Sequence, residues 1–195
     1  RELFSWVRGV NAFLPESIAV RWAAEVEGGD QGFHARFSAT ARTYHYVIYN
    51  DAVRSPLWHG RAGWSFRPLD AAAMHEAAQH LIGEHDFSAF RAAECQALSP
   101  VRSMHAISVT RRGALVVVTL RANAFLHHMV RNISAVLMTI GAGKKPIAWA
   151  KEVLLAQDRK VADVTASPNG LYLYQVIYPE NFMLPQSENN FLFFI

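Results

Sequence analysis

Two strand-like runs, residues 103–110 and 114–121, are joined through Arg111-Arg112-Gly113. So short a connection, with a glycine available for positive φ, returns the chain on itself as a β-hairpin. The two runs must then be neighbours in an antiparallel sheet, and the rest of the chain has to cover that sheet. Residues 43–49 supply another strand by strict alternation. Tyr44, Tyr46 and Ile48 share one face, and His45, Val47 and Tyr49 share the other. Residues 18–26 read as a strand broken by Gly28-Gly29-Asp30. Residues 171–178 read as a closing strand stopped by Pro179, residues 51–67 as irregular, and residues 180–195 as a surface tail.

Three helices fit between these strands. Asp70 is placed to cap a helix running to about Ile82, with Leu69 and Met74 as a hydrophobic staple and Gly83 as the stop. A second helix is expected over residues 127–140, ending in Gly141-Ala142-Gly143. A third has Pro146 in its first turn and runs to about Gln157. The expected order is strand, strand, helix, hairpin, helix, helix, strand. That is an α+β fold with a mainly antiparallel sheet and helices packed on one face.

A chain of 195 residues that is 51% hydrophobic can bury a sizeable core. No apolar run approaches the roughly 18–20 residues that span a bilayer. Arg1 follows no initiator methionine or leader, which reads as a truncated or processed start. Cys95 is the only cysteine, so no intrachain disulfide can form, and a reducing cytoplasm is the expected compartment.

The net charge of +3 is modest, but its distribution is uneven. Residues 95–151 contain no Asp or Glu, yet include Arg102, Arg111, Arg112, Arg121, Arg131, Lys144, Lys145 and Lys151. Residues 31–50 are also free of acids and hold Arg36 and Arg42. The 15 arginines outnumber the 4 lysines. Guanidinium forks phosphate and stacks on bases, which suits a nucleic-acid partner, although a GC-rich coding sequence would give the same ratio. Residues 33–44 interleave Arg36 and Arg42 with aromatics and end on Tyr44. They can grip phosphates and offer a stacking face, or they can simply lead into a strand.

Arg131 sits on its helix where a polar strip of His127, His128, Arg131 and Ser134 gives way to Ala135 and Met138. A cation there needs a carboxylate, and none lies within a helical turn, so the partner comes from elsewhere in the fold or from outside the chain. A structural salt bridge and a site role are both open at this point. Adjacent His127 and His128 diverge by about 100° and chelate poorly. His75, His80 and His85 spread around a helix, and no zinc-type spacing occurs, so no metal is expected. Cys95 lacks a flanking base and reads as an inert thiol. Spacing alone thus leads to a basic, aromatic-bearing α+β domain that binds RNA.

Five stretches closely resemble the tRNA pseudouridine synthase A family. They are Gly9-Val-Asn-Ala-Phe-Leu-Pro15, Phe33-His-Ala-Arg-Phe-Ser-Ala-Thr-Ala-Arg-Thr-Tyr-His-Tyr46, Asp86-Phe-Ser-Ala-Phe-Arg91, Asn123-Ala-Phe-Leu-His-His-Met-Val-Arg-Asn-Ile133 and Gly170-Leu-Tyr-Leu173. They occur in family order and cover nearly all of residues 7–179. The resemblance implies a homodimeric cytoplasmic enzyme that isomerises uridine to pseudouridine at positions 38, 39 and 40 of the tRNA anticodon stem-loop. It implies no metal or organic cofactor, and no membrane or DNA partner. In this family Tyr44 corresponds to the tyrosine that stacks on the flipped uracil and has been proposed as the later base. Arg131 corresponds to the arginine that pairs with the catalytic aspartate, and Leu171 to the apolar residue closing the cleft under the base. Phe33, His34, Ala35, Arg36, Phe37 and Arg42, with Glu94, Cys95, Gln96, Ala97 and Leu98, fall in regions that touch tRNA. Ala97 and Leu98 are less polar than such a region calls for.

The nucleophilic aspartate of the family lies in a Gly-Arg-Thr-Asp-x-Gly-Val-His type motif upstream of the Gly9–Pro15 match, and these 195 residues contain no such motif. The chain is therefore expected to hold a remnant of the amino-terminal subdomain in residues 1–32 and a cleft-bearing, RNA-binding domain in 33–179, followed by the tail. Alone it is expected to be inactive. The alternative is a non-catalytic RNA-binding or dimerisation module.

Overall fold

The computed structural model describes residues 2–26 and 32–185, in two units. The larger comprises residues 40–177. The smaller comprises the described residues before Thr40 and residues 178–185.

The hairpin is the centre of the larger unit. Strands β4 (Val101–Arg112) and β5 (Leu115–Ala122) pair from Met104↔Ala122 to Arg112↔Leu115. Only Gly113 and Ala114 lie between the last paired residues, and Gly113 takes the positive φ of 53° that a two-residue turn requires. On the far side of β5 lies β1 (Ala41–Asn50), antiparallel to it. The outer edge of β1 is shared by two strands. Antiparallel β6 (Leu171–Ile177) follows its first half, and β2 (Gly63–Ser65) runs parallel to its last three residues. Strand β3 (Gly83–Asp86) completes the other edge beside β4. This is the mainly antiparallel α+β sheet expected from the sequence, with β2 the only parallel partner described.

The predicted alternation of β1 decides what each face of the sheet does. Tyr46 and Ile48 are buried with Val116, Val118 and Leu120 of β5 under the helices α2 (Ala71–Gln79), α3 (Met129–Gly141) and α4 (Trp149–Ala156). On the opposite face Val47, Ala62 and Val117 form a smaller cluster, with Tyr49, Trp58 and Tyr172 against it.

Several boundaries differ from the sequence reading. Asp70 does cap α2, its Oδ1 accepting from the amides of Ala72 and Ala73 at 2.9 and 3.0 Å. Leu69 and Met74 are both buried in the same core. The helix ends at Gln79, however, and Gly83 (φ 111°) opens β3 instead of stopping a helix. Helix α3 begins at Met129 because His128, its N-cap residue, is left-handed with φ 61°. Pro146 precedes α4 by a turn, its carbonyl accepting from Trp149 at 3.0 Å. The stretch read as irregular contains a short 3-10 turn (Pro56–Trp58) and β2.

In the smaller unit, α1 (Leu3–Asn11) was not anticipated, and residues 18–26 form no strand. Asn11 takes the place a neighbouring strand would have. Its Nδ2 donates to the Val20 carbonyl at 2.8 Å and its Oδ1 accepts from the Val20 amide at 2.7 Å. Gly28, Gly29 and Asp30, read as a strand-breaking loop, lie outside the described residues, as does the tail beyond Pro185. The tail begins with a 3-10 turn, Glu180–Phe182.

Candidate active site

The first turn of α3 carries Arg131 against residues 163–170, the segment that leads into β6. Arg131 is half-buried, and its Nε donates to the Ala166 carbonyl at 2.7 Å. Among the described residues no carboxylate pairs with it, and its two terminal nitrogens make no further hydrogen bond. The guanidinium is thus fixed along one edge and presents its other edge as an unfilled fork of the kind that binds a carboxylate or phosphate bidentately. The next carbonyl, Ser167, accepts from the Tyr46 hydroxyl at 2.9 Å. Burial pushes the Tyr46 phenol up to about 12, with the Arg131 charge pulling the other way. Arg131 and Tyr46 therefore grip consecutive peptide units of one segment.

The sheet sets Tyr44 and Leu171 on the same side as Arg131. Leu171 pairs across the sheet with Tyr46, and Tyr44 stands one pleat along β1, opposite Leu173. Tyr44 is half-buried and meets the Phe125 ring edge-on, with centroids 5.1 Å apart. Burial raises its phenol above the ordinary value, partly opposed by the nearby Arg42 charge, so the hydroxyl is protonated at neutral pH. The Nη1 of Arg42 donates to the Asn123 carbonyl at 2.7 Å, which ties the start of β1 to the stretch that carries Phe125.

Residues 94–98 form a loop beside the start of α3. Nη2 of Arg91 holds it by donating to the carbonyls of Cys95 and Ala97, at 2.5 and 2.9 Å. The Cys95 sulfur accepts from the His127 amide at 3.4 Å. Burial pushes this thiol up, but the Ala97 and His127 amides and the Arg91 charge outweigh it and bring it down. Its surroundings are therefore more electropositive than the sequence suggested. Glu94, Gln96 and Leu98 are exposed and Ala97 packs on the core.

Phe33, His34, Ala35, Arg36 and Phe37 belong to the smaller unit. The Nδ1 of His34 accepts from the amides of Arg36 and Phe37, at 3.1 and 3.3 Å, and so builds a tight turn. Phe33 anchors it edge-on to Tyr178 and Phe182, and the Tyr178 hydroxyl donates to the Ala35 carbonyl. The tip displays Phe37, which is 76% exposed, with the Arg36 guanidinium 5.7 Å from its ring centre. Arg131, Tyr44 and Leu171 thus lie together in the larger unit with Arg42 and residues 94–98, and residues 33–37 belong to the smaller unit. Among the described residues no three His, Cys, Asp or Glu side chains gather as a metal site.

Sequence reasoning missed the Tyr46 contact, and it missed Asn132, the residue after Arg131, a fully buried amide whose Nδ2 donates to the Phe90 carbonyl at 2.7 Å. The one available sign for Asn132 was an amide among the apolar residues of α3, where an unpaired polar group is costly.

The family model for tRNA pseudouridine synthase matches residues 77–179, which include α3 with Arg131 and the segment it binds. The chain belongs to the tRNA pseudouridine synthase family. Within it the chain is similar to the enzymes called tRNA pseudouridine synthase A. It is 59% identical to that of Herminiimonas arsenicoxydans, over 98% of this chain and 70% of the relative. It is 57% identical to that of Janthinobacterium sp. (strain Marseille), over 98% and 72%. With that of Ralstonia nicotianae it shares 56% identity over 96% and 69%. The chain therefore spans about 70% of the length of these relatives.

Proposed function

We propose that these residues form the base-binding side of the cleft of a tRNA pseudouridine synthase acting on uridines 38, 39 and 40 of the anticodon arm. The nucleophilic aspartate is supplied by sequence outside the 195 residues. The observation that carries this reading is the state of Arg131. A half-buried guanidinium is clamped at Nε by a backbone carbonyl, and its terminal nitrogens are unpaired among the described residues. A cation withdrawn from water in this way calls for an anion, and a carboxylate aligned with the remaining fork satisfies it.

Each candidate of the larger unit has a role in that reading. Arg131 holds the aspartate ionised and aimed at the nucleotide. Tyr44 offers a ring face to the flipped uracil, its protonated hydroxyl available as a donor. Leu171 closes the floor beneath the base. Attack by the aspartate and cleavage of the glycosidic bond free the uracil. The freed base then attacks the sugar carbon through C5 and displaces the aspartate, N1 takes up a proton, and the C5 proton is lost. Arg36, Arg42 and residues 94–98 hold the tRNA by phosphate contacts and stacking. The protein works as a homodimer in the cytoplasm. No helix among the described residues is long and apolar enough to cross a membrane. Mapping pseudouridines in unmodified tRNA treated with the full-length enzyme tests the assignment. Modification confined to positions 38–40 supports it, and modification only elsewhere contradicts it.

A further inference from the structure

The Arg131 carbonyl clamp is itself held by a half-buried polar network, centred on one buried amide, that the chemistry above does not use. Asn132, the next residue on α3, is fully buried. Its Nδ2 donates to the Phe90 carbonyl at 2.7 Å. Its Oδ1 accepts from the Thr165 hydroxyl at 2.7 Å and from Arg159 Nη2 at 3.2 Å. Arg159 Nη2 also donates to Thr165 Oγ1 at 3.1 Å, closing a three-membered ring of contacts. About two turns further along α3, Thr139 donates to the Asp163 carboxylate. Residues 159–165 are thus pinned to α3 at three side chains. The two carbonyls that follow are those taken by Arg131 and Tyr46. The segment then enters β6 through Gly170, whose carbonyl accepts from Val47 at 2.8 Å.

We infer that Asn132, Thr165 and Arg159 are positioning residues for catalysis, locking the 159–167 segment so that the Ala166 carbonyl holds Arg131 in the one orientation that presents its fork to the nucleophile. This rests on the reading of Arg131 given above. The physical reason is directional. A single Nε–H···O bond leaves a long side chain free to swing unless its acceptor is fixed, and an exposed segment would not fix it. An amide with both ends engaged, deep in the core, is rigid, and it transmits that rigidity over two residues to the acceptor. Asn132 does not reach the reacting atoms, so its effect falls on turnover and not on tRNA binding.

Thr165→Val is the cleanest test, because it keeps the side chain's shape and removes the hydroxyl that ties the residue before Ala166 to Asn132. In the full-length enzyme it is expected to lower kcat roughly 10- to 100-fold with KM little changed, as misplacement of a catalytic group by about an ångström does. Thr165→Ser, which restores the hydroxyl, should recover most of the loss. Thermal unfolding of both variants separates this from loss of fold, and Arg131→Ala in parallel provides the reference. Wild-type kcat in a folded Thr165→Val enzyme, with Arg131→Ala impaired, overturns the inference and leaves the site intact. A loss that Thr165→Ser does not rescue, or one that follows the melting temperature, overturns it as well. Full turnover by Arg131→Ala would remove the site role of Arg131 and this inference with it.

Discussion

Arg131 combines two demands on one side chain, a backbone anchor at Nε and a fork at the terminal nitrogens that no described residue fills. If the fork meets the nucleophile's carboxylate, Arg131→Ala leaves that charge unpaired in a dry cleft, a change that typically costs about 3–5 kcal/mol. The loss should appear in kcat while the tRNA dissociation constant moves little. Equal losses in both parameters would point to a general structural role. A second residue-scale prediction concerns His45, on the opposite face of the sheet. Its Nδ1 contacts Thr119 Oγ1 at 2.9 Å, its Nε2 is buried without a partner among the described residues, and its ring lies against Tyr174. Burial lowers its pKa below the ordinary 6.5, so between those values the unfolded chain binds more protons than the folded one. The stabilisation is present above 6.5 and is lost as pH falls through the folded value. Melting temperatures taken downward from pH 7.5 should therefore decline. His45→Phe, which keeps a ring and cannot protonate, should decline less steeply. An identical decline in both proteins would exclude His45 as the source.

At the scale of elements, what was legible in the sequence was what a local pattern dictates. The period-two alternation of residues 43–49 assigned both faces of β1 correctly, because each side chain's face follows from backbone pleat alone. The 103–121 hairpin was legible because its turn is local. Strands β2 and β3 were not, since three or four residues become a strand only when a distant partner offers a ladder. The run 18–26 failed for the converse reason, having strand-like composition but Asn11 in place of a ladder. The start of α3 was misplaced by the left-handed backbone of His128, which an imidazole-bearing residue does not announce. The Arg131 clamp could not be read at all, because its acceptor is a backbone carbonyl 35 residues away. Gly170, by contrast, has a reason its residue type alone can supply. Its φ is +91°, and a Cβ would collide with the Val47 carbonyl and stand 2.8 Å from the Gly63 amide, at the seam where β6 and β2 share the edge of β1. Gly170→Ala should destabilise the protein by about 3 kcal/mol or more, read from denaturant unfolding. A change below about 1 kcal/mol would mean that the seam is looser than it looks.

At the scale of the whole molecule, tRNA binding and chemistry should separate, because the former rests on distributed charge and stacking. Arg36→Ala is expected to weaken tRNA binding and to flatten the plot of log affinity against log salt by about 0.7–0.9. Tyr44→Ala should leave that slope alone, since losing a stacked base, worth about 1–3 kcal/mol, releases no counterions. An unchanged slope in Arg36→Ala would take that residue off the phosphate contacts. The central claim, that these 195 residues hold a synthase cleft whose nucleophile lies outside them, is tested most directly by tritium release from tRNA labelled at uridine C5. The full-length enzyme should release tritium catalytically, and the 195-residue chain, folded and at equal concentration, should release none. Catalytic release by the 195-residue chain alone would contradict the claim.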